Sequence, residues 1–185
     1  MQIGIKNNIA LKFALRFGLL FLVFYYFNIF YFGLTSPGGN YSEFLDQHFN
    51  YITWLRTGLL HTSAFLLNLI GFTAKAGAIQ LMVVNHGIIE LIYTCLGLGV
   101  MSFFAAFVIT YPKKTKHKLL FLFSGLLCIQ ALNIVRFMLL ALYWNRSLNR
   151  IIDHHTIFNV IIYIIIMIAL YKWINHKASN PDAAN

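Results

Sequence analysis

Against a background with few reactive side chains, Cys95, Arg136 and the adjacent pair His154 and His155 are the residues that could do chemistry. The thiol lies in the stretch IYTCLGLGV, residues 92–100, between Thr94 and two glycines. A thiol attacks carbonyl carbon as its thiolate, and apolar surroundings disfavour that charge unless a base or a cation is close. An imidazole can take the proton and return it to a leaving amine. A guanidinium stays charged, so it can hold a developing oxyanion or a substrate carbonyl or carboxylate. Gly97 and Gly99 would let a peptide approach the chain closely, and Thr94 or Asn133 could add hydrogen bonds. Together these groups suit acyl transfer on a peptide bond.

Whether they can meet depends on the elements that carry them. The chain has 185 residues, 59% hydrophobic and only 10% charged, a composition outside the range of soluble domains. The expected fold class is all-α: a polytopic integral membrane helical bundle of about four or five transmembrane helices, with an outer re-entrant or amphipathic segment. One membrane domain is expected over residues 1–177, followed by a disordered polar tail over 178–185. The formal charge of +9 does not imply nucleic acid, because the basic residues cluster where apolar runs end, as the positive-inside rule requires. Two cysteines, both within apolar runs, do not form the framework of a disulfide-rich domain.

Five apolar regions are legible: Phe13–Phe32, Tyr51–Phe72, Gly87–Tyr111, Leu119–Trp144 and Thr156–Trp173. The first is too long for a signal-peptide core and reads as a retained anchor entering from the cytoplasm. The basic loop PKKTKHK, residues 112–118, is expected on the cytoplasmic side, as are Lys172 and Lys177. Five full crossings would put the N-terminus and that loop on opposite sides. Tyr51–Phe72, interrupted by Arg56 and His61, is therefore expected to stay at the outer face, which leaves four crossings with both termini inside. Residues 76–87 read as a small outer hairpin or strand. In this topology Cys95 and Arg136 each lie about two turns below an outer helix end, and His154 and His155 open the last span at the same face. Three segments then deliver a thiol, a guanidinium and an imidazole to one leaflet.

Each residue also has a plainer reading. Cysteine in an apolar helix is usually a small packing residue, the reading given to Cys128. An arginine near a helix end can snorkel to the headgroups, although one within the hydrocarbon is costly enough to suggest a role. Glu90, Asn133 and Asn159 can serve as interhelical glue.

The order Cys95-Leu-Gly97-Leu, then Asn133-Ile-Val-Arg136-Phe, then His155-Thr-Ile-Phe-Asn159 resembles the exosortase/archaeosortase family of membrane-embedded cysteine peptidases, in a short Bacteroidetes-type form. The resemblance covers about residues 75–170. It implies Cys95 as nucleophile, Arg136 as electrostatic stabiliser and His155 as base, with Thr94, Gly97, Asn133 and Asn159 supporting them. Asn159 replaces the family's glycine, and Leu96 stands where serine or asparagine is frequent; a shift of register would make His154 the base. No cofactor and no metal is implied. The implied partners are membrane-anchored proteins with a C-terminal sorting signal (a short motif, a transmembrane helix and a basic tail), the lipid bilayer, and an envelope acceptor if cleavage ends in transfer. The implied location is the bacterial inner (plasma) membrane, with the active site toward the periplasmic or outer face.

Two rival functions remain at this stage. His86 and Glu90, at i and i+4 of a helix, could begin a metal site that His154 and His155 complete, although no H-E-x-x-H motif is present. Arg56, Glu90 and Arg136 could instead line a polar path in a transporter subunit or membrane assembly factor.

Overall fold

The computed structural model describes residues 2–38, 40–143 and 154–175, with side chains described from Ala10 onward in the first helix and from Phe158 onward in the last. The chain divides into two compact units, 1–145 and 146–185. In the first unit the order is α1 (Gln2–Thr35), α2 (Glu43–Phe49), α3 (Tyr51–Leu69), β1 (Ala74–Ala76), β2 (Gln80–Val83), β3 (Gly87–Glu90), a 3-10 turn (Tyr93–Leu96), α4 (Leu98–Thr110) and α5 (Thr115–Tyr143). The second unit contains α6 (His154–Asn175).

The protein is an all-α membrane protein of the expected class. Among the described residues three helical segments are long and apolar enough to cross a bilayer: Ala10–Thr35, Thr115–Tyr143 and Phe158–Asn175. The apolar run Gly87–Tyr111 is not the continuous span expected from its composition. Its first part is strand and 3-10 turn, and only Leu98–Thr110 is α-helix. That helix is about 20 Å long at 1.5 Å per residue, short of a hydrocarbon core of about 30 Å.

Helices α1 and α4 run antiparallel, joined by aromatic rings. Phe13 packs on Phe107 and Tyr111, Phe17 on Phe103 and Phe107, and Phe21 on Phe103, mostly edge to face. Helix α5 returns antiparallel to α4. Phe104 packs at a tilt against Phe121 and covers Gly125, where a Cβ would run into the Phe104 ring. The start of α1, the end of α4 and the start of α5 therefore share one end of the unit. Lys12, Arg16 and the basic residues of 113–118 all belong to it.

The other end is assembled from shorter pieces. Asn50 caps α3, its Oδ1 accepting from the Thr53 N–H at 2.9 Å while its Nδ2 donates to Asp46. Tyr51 packs at a tilt against Tyr31 and donates to Asn28 Oδ1 at 2.7 Å. Burial, reinforced by the neighbouring phenols of Tyr93 and Tyr31, pushes the Tyr51 phenol up to about 12, so at neutral pH it is a donor. Asn28 in turn donates to Ser102 of α4, tying α1, α3 and α4 at one point.

Helix α3 buries Ile52, Leu59, Leu60, Ser63, Ala64 and Leu67, a single helical stripe. At its far end Asn68 both donates to and accepts from the backbone of Ala74, pinning β1. The strands form an antiparallel meander, β1-β2-β3, in which Lys75 faces Met82 and Leu81 faces Ile89. The hairpin expected over 76–87 is thus part of a three-stranded sheet. Its β2–β3 turn reaches the end of α5, where His86 Nδ1 lies 3.1 Å from the Leu142 carbonyl oxygen. Both ends of α3 therefore remain away from the basic end, which removes the parity conflict in the sequence.

Candidate functional site

Cys95 lies in the 3-10 turn between the sheet and α4, not two turns inside a helix as expected. Its N–H closes the turn onto the Ile92 carbonyl at 2.9 Å. Gly97 ends the turn and caps α4 in the left-handed region, with φ 74° and ψ 12°. This conformation reverses the chain into α4, and glycine adopts it without the Cβ penalty other residues carry. It also permits close approach of α5, since a Cβ at Gly97 would lie 2.5 Å from Asn133 Nδ2.

The wall behind the turn is one face of α5. Ile129, Asn133, Arg136, Phe137, Leu140 and Ala141 are buried along it. Arg136, only 3% exposed, donates from Nη2 to the carbonyl oxygen of Cys95 at 2.8 Å. Its guanidinium also stacks on Phe137, with 5.1 Å from Cζ to the ring centroid. The guanidinium and the Cys95 thiol lie within electrostatic reach of each other. One turn earlier, Asn133 Nδ2 donates to the Leu96 carbonyl at 3.4 Å and to Gln130 Oε1 at 3.0 Å. Gln130 Nε2 donates to the same Leu96 carbonyl at 3.3 Å. Three side chains spaced three residues apart thus hold two consecutive carbonyls of the turn. A 3-10 turn leaves such carbonyls without ladder partners, and leaving them unpaired in an apolar interior is costly.

Cys95 itself is 4% exposed and sits in the main apolar cluster with Leu96, Leu91, Leu81 and residues of α3. Cys128, expected to be a packing residue, is exposed on α5. Thr94 is exposed beside the buried thiol. His154 and His155 open α6, but their side chains lie outside the described residues, as do the loop before them and the 178–185 tail. Asn159 is half-buried in α6. The structure thus brings Cys95, Gly97, Asn133 and Arg136 together within one unit.

Gln130 went unrecognised in the sequence. Its signal was the spacing Gln130, Asn133, Arg136, a polar line along one face of an otherwise apolar helix. The metal reading loses its geometric basis, because His86 is in a β-turn and Glu90 ends a strand, paired with Gln80. In an extended strand, residues four apart stand about 13 Å from each other rather than one helical turn. Arg56 and Arg136 occupy different helices, and the hydrogen bond of Arg56 Nη2 runs within α3 to Thr53.

Comparison with known proteins adds one finding. The family model described as transmembrane exosortase (Exosortase_EpsH) matches residues 9–172. No curated protein and no solved structure matches the chain.

Proposed function

This chain belongs to the transmembrane exosortase family, and from that premise we propose that it is a cysteine peptidase or transpeptidase acting on membrane-anchored proteins that carry a C-terminal sorting signal. The observation that carries the reading is the 2.8 Å hydrogen bond from Arg136 to the carbonyl of Cys95, with the guanidinium in electrostatic reach of the thiol. A helix-borne cation so placed holds the turn that presents the nucleophile and can balance the negative charge of a thiolate.

In this reading the Cys95 sulfur attacks the scissile carbonyl carbon, and its proton passes to a histidine, His155 or in the alternative register His154. The tetrahedral intermediate collapses with cleavage of the C–N bond. The histidine returns its proton to the departing amine, and a thioester remains on Cys95. Water or an acceptor amine or hydroxyl then displaces the sulfur, which regains its proton. Asn133 and Gln130 act as positioning residues by holding the Leu96 carbonyl, and Arg136 combines that task with electrostatic support. The separation of the Cys95 turn from the basic end supports a site toward the outer face of the inner membrane under the positive-inside rule.

The test is processing of a protein with a tripartite C-terminal tail in cells expressing matched levels of wild type, Cys95→Ala, Arg136→Ala, His154→Ala, His155→Ala or Cys128→Ala. Loss of processing by about a thousandfold or more is expected for Cys95→Ala, as for removal of other covalent nucleophiles. Cys128→Ala should process normally. Normal processing by Cys95→Ala would overturn the reading in favour of a transporter subunit or assembly factor.

A further inference from the structure

A cleft at the basic end, remote from Cys95, is bounded by α1, the end of α4 and the start of α5. It has a volume of about 470 Å³ and is lined by Arg16, Leu19, Leu20, Val23, Ile109, Thr110 and Lys118. Its walls are mostly aliphatic, with one guanidinium and one ammonium among them. The Lys118 ammonium donates to the Ile109 carbonyl at 2.8 Å, which leaves two of its three donors for another acceptor. Neither Arg16 nor Lys118 has an ion pair among the described residues. Glu43 and Asp46 lie in α2 and Glu90 ends β3, all at the opposite end of the unit, whereas Lys12, Arg16, Lys113, Lys114, Lys116 and Lys118 gather here.

We propose that this cleft binds the phosphate of an anionic phospholipid between Arg16 and Lys118, with an acyl chain lying along Leu19, Leu20 and Val23. The argument joins charge to position. Arg16 lies in the first turn of the apolar run Phe13–Phe32, one turn before Leu19 and Leu20 on the cleft wall. The aliphatic wall of Leu19, Leu20 and Val23 beside the two cations suits a phosphate that carries acyl chains, as a phospholipid does and free phosphate does not. A guanidinium offers a planar fork suited to phosphate oxygens, and a lysine adds a second charge. A lipid phosphate neutralises the two cations at the margin of the hydrocarbon. The inference is independent of the peptidase reading.

The test reconstitutes the full chain in nanodiscs of phosphatidylcholine containing a minor fraction of phosphatidylglycerol, then measures co-purifying lipid by native mass spectrometry. Wild type should retain phosphatidylglycerol selectively. The double variant Arg16→Gln, Lys118→Gln should lose that selectivity by about tenfold or more, given the attraction each basic group contributes near an anionic surface. The charge-preserving pair Arg16→Lys, Lys118→Arg should keep most of it, and so should Lys113→Gln, Lys114→Gln, which removes the same charge outside the cleft. Equal losses from the two Gln pairs would overturn the proposal, reducing the effect to diffuse attraction. Displacement of the lipid by millimolar inorganic phosphate would overturn it too, by showing a free-anion site. All variants are to be compared at matched thermal stability, and since Arg16 is exposed and Lys118 half-buried, a fold defect common to both double variants would equally count against a specific cleft.

Discussion

The two ends of the first unit are built on opposite principles. At the basic end, regular helices meet through Phe13, Phe17, Phe103 and Phe107, and ring contact does what hydrogen bonding does elsewhere. At the Cys95 end, short strands, a 3-10 turn and a left-handed glycine interrupt the helices, and polar side chains of α5 satisfy the carbonyls that irregular backbone leaves over. The difference teaches why polar residues are concentrated where they are. Between their ends, helices need nothing from their neighbours for their own backbones, so their flanks can meet through apolar surface, and only a last-turn carbonyl such as that of Ile109 takes a donor from the next helix. A non-helical turn within a membrane protein needs donors from another element, and Gln130, Asn133 and Arg136 supply them.

The sharpest way to break this comparison is at the turn itself. Gly97→Ala places a Cβ at φ 74° and against Asn133, and should cost about 2 kcal/mol or more while displacing the Cys95 carbonyl from Arg136. Gly99→Ala, with ordinary backbone and 3.5 Å to the Tyr25 ring, should be nearly neutral. Thermal unfolding in detergent, together with processing in cells, measures both. If the two alanines behave alike, the turn is not the strained and crowded point described here.

A smaller contrast compares polar support with ring packing. Gln130→Ala removes a donor to Leu96 and should cost about 1 kcal/mol, with a clear fall in processing rate. Phe17→Leu removes edge contacts with Phe103 and Phe107, and should cost a similar or smaller amount, about 0.5 to 1 kcal/mol, with processing unchanged. Equal effects of both on processing would show that the turn feels general stability rather than its own support.

The smallest expected effect lies in the connection ahead of α3. Hydrogen bonds from Asn50 and then Tyr41 hold the Asp46 carboxyl below its ordinary value of 3.8. A carboxylate with a depressed folded value contributes stability that is full above the unfolded value and is lost as pH falls through the folded one. Asp46→Asn should therefore open the α2–α3 junction slightly at pH 6 and make no difference well below that folded value. Hydrogen exchange of the Thr53 amide reads it locally; because Asp46 is only partly buried, solvent screening keeps the effect small.

How far the sequence could be read follows from the same division. The basic end was legible, because the positive-inside rule and apolar run length are properties of consecutive residues. The expectation that Tyr51–Phe72 does not return to the basic side came from charge parity, and the contacts of Tyr51 and Asn68 agree with it. The third run was misread as one helix because Gly87–Glu90 is apolar enough to resemble a span, and hydropathy alone does not distinguish a buried strand from a helix. Asn133 and Arg136 were picked out as a pair, but Gln130, one step earlier on the same spacing, was passed over because that spacing does not say which carbonyl its side chain meets.

What the sequence determined by itself is that this chain lives in a membrane, which end is positive, and which three residue types could perform acyl transfer. Membership of the exosortase family was also legible in it, through motifs in order. Only the tertiary structure decided that Cys95 sits in a 3-10 turn and that Arg136 grips that residue's own carbonyl. The physical reason is that run length, charge and residue order are local quantities. Which donor satisfies a given stray carbonyl depends on the packing of α5 against the turn, two elements separated in sequence by α4.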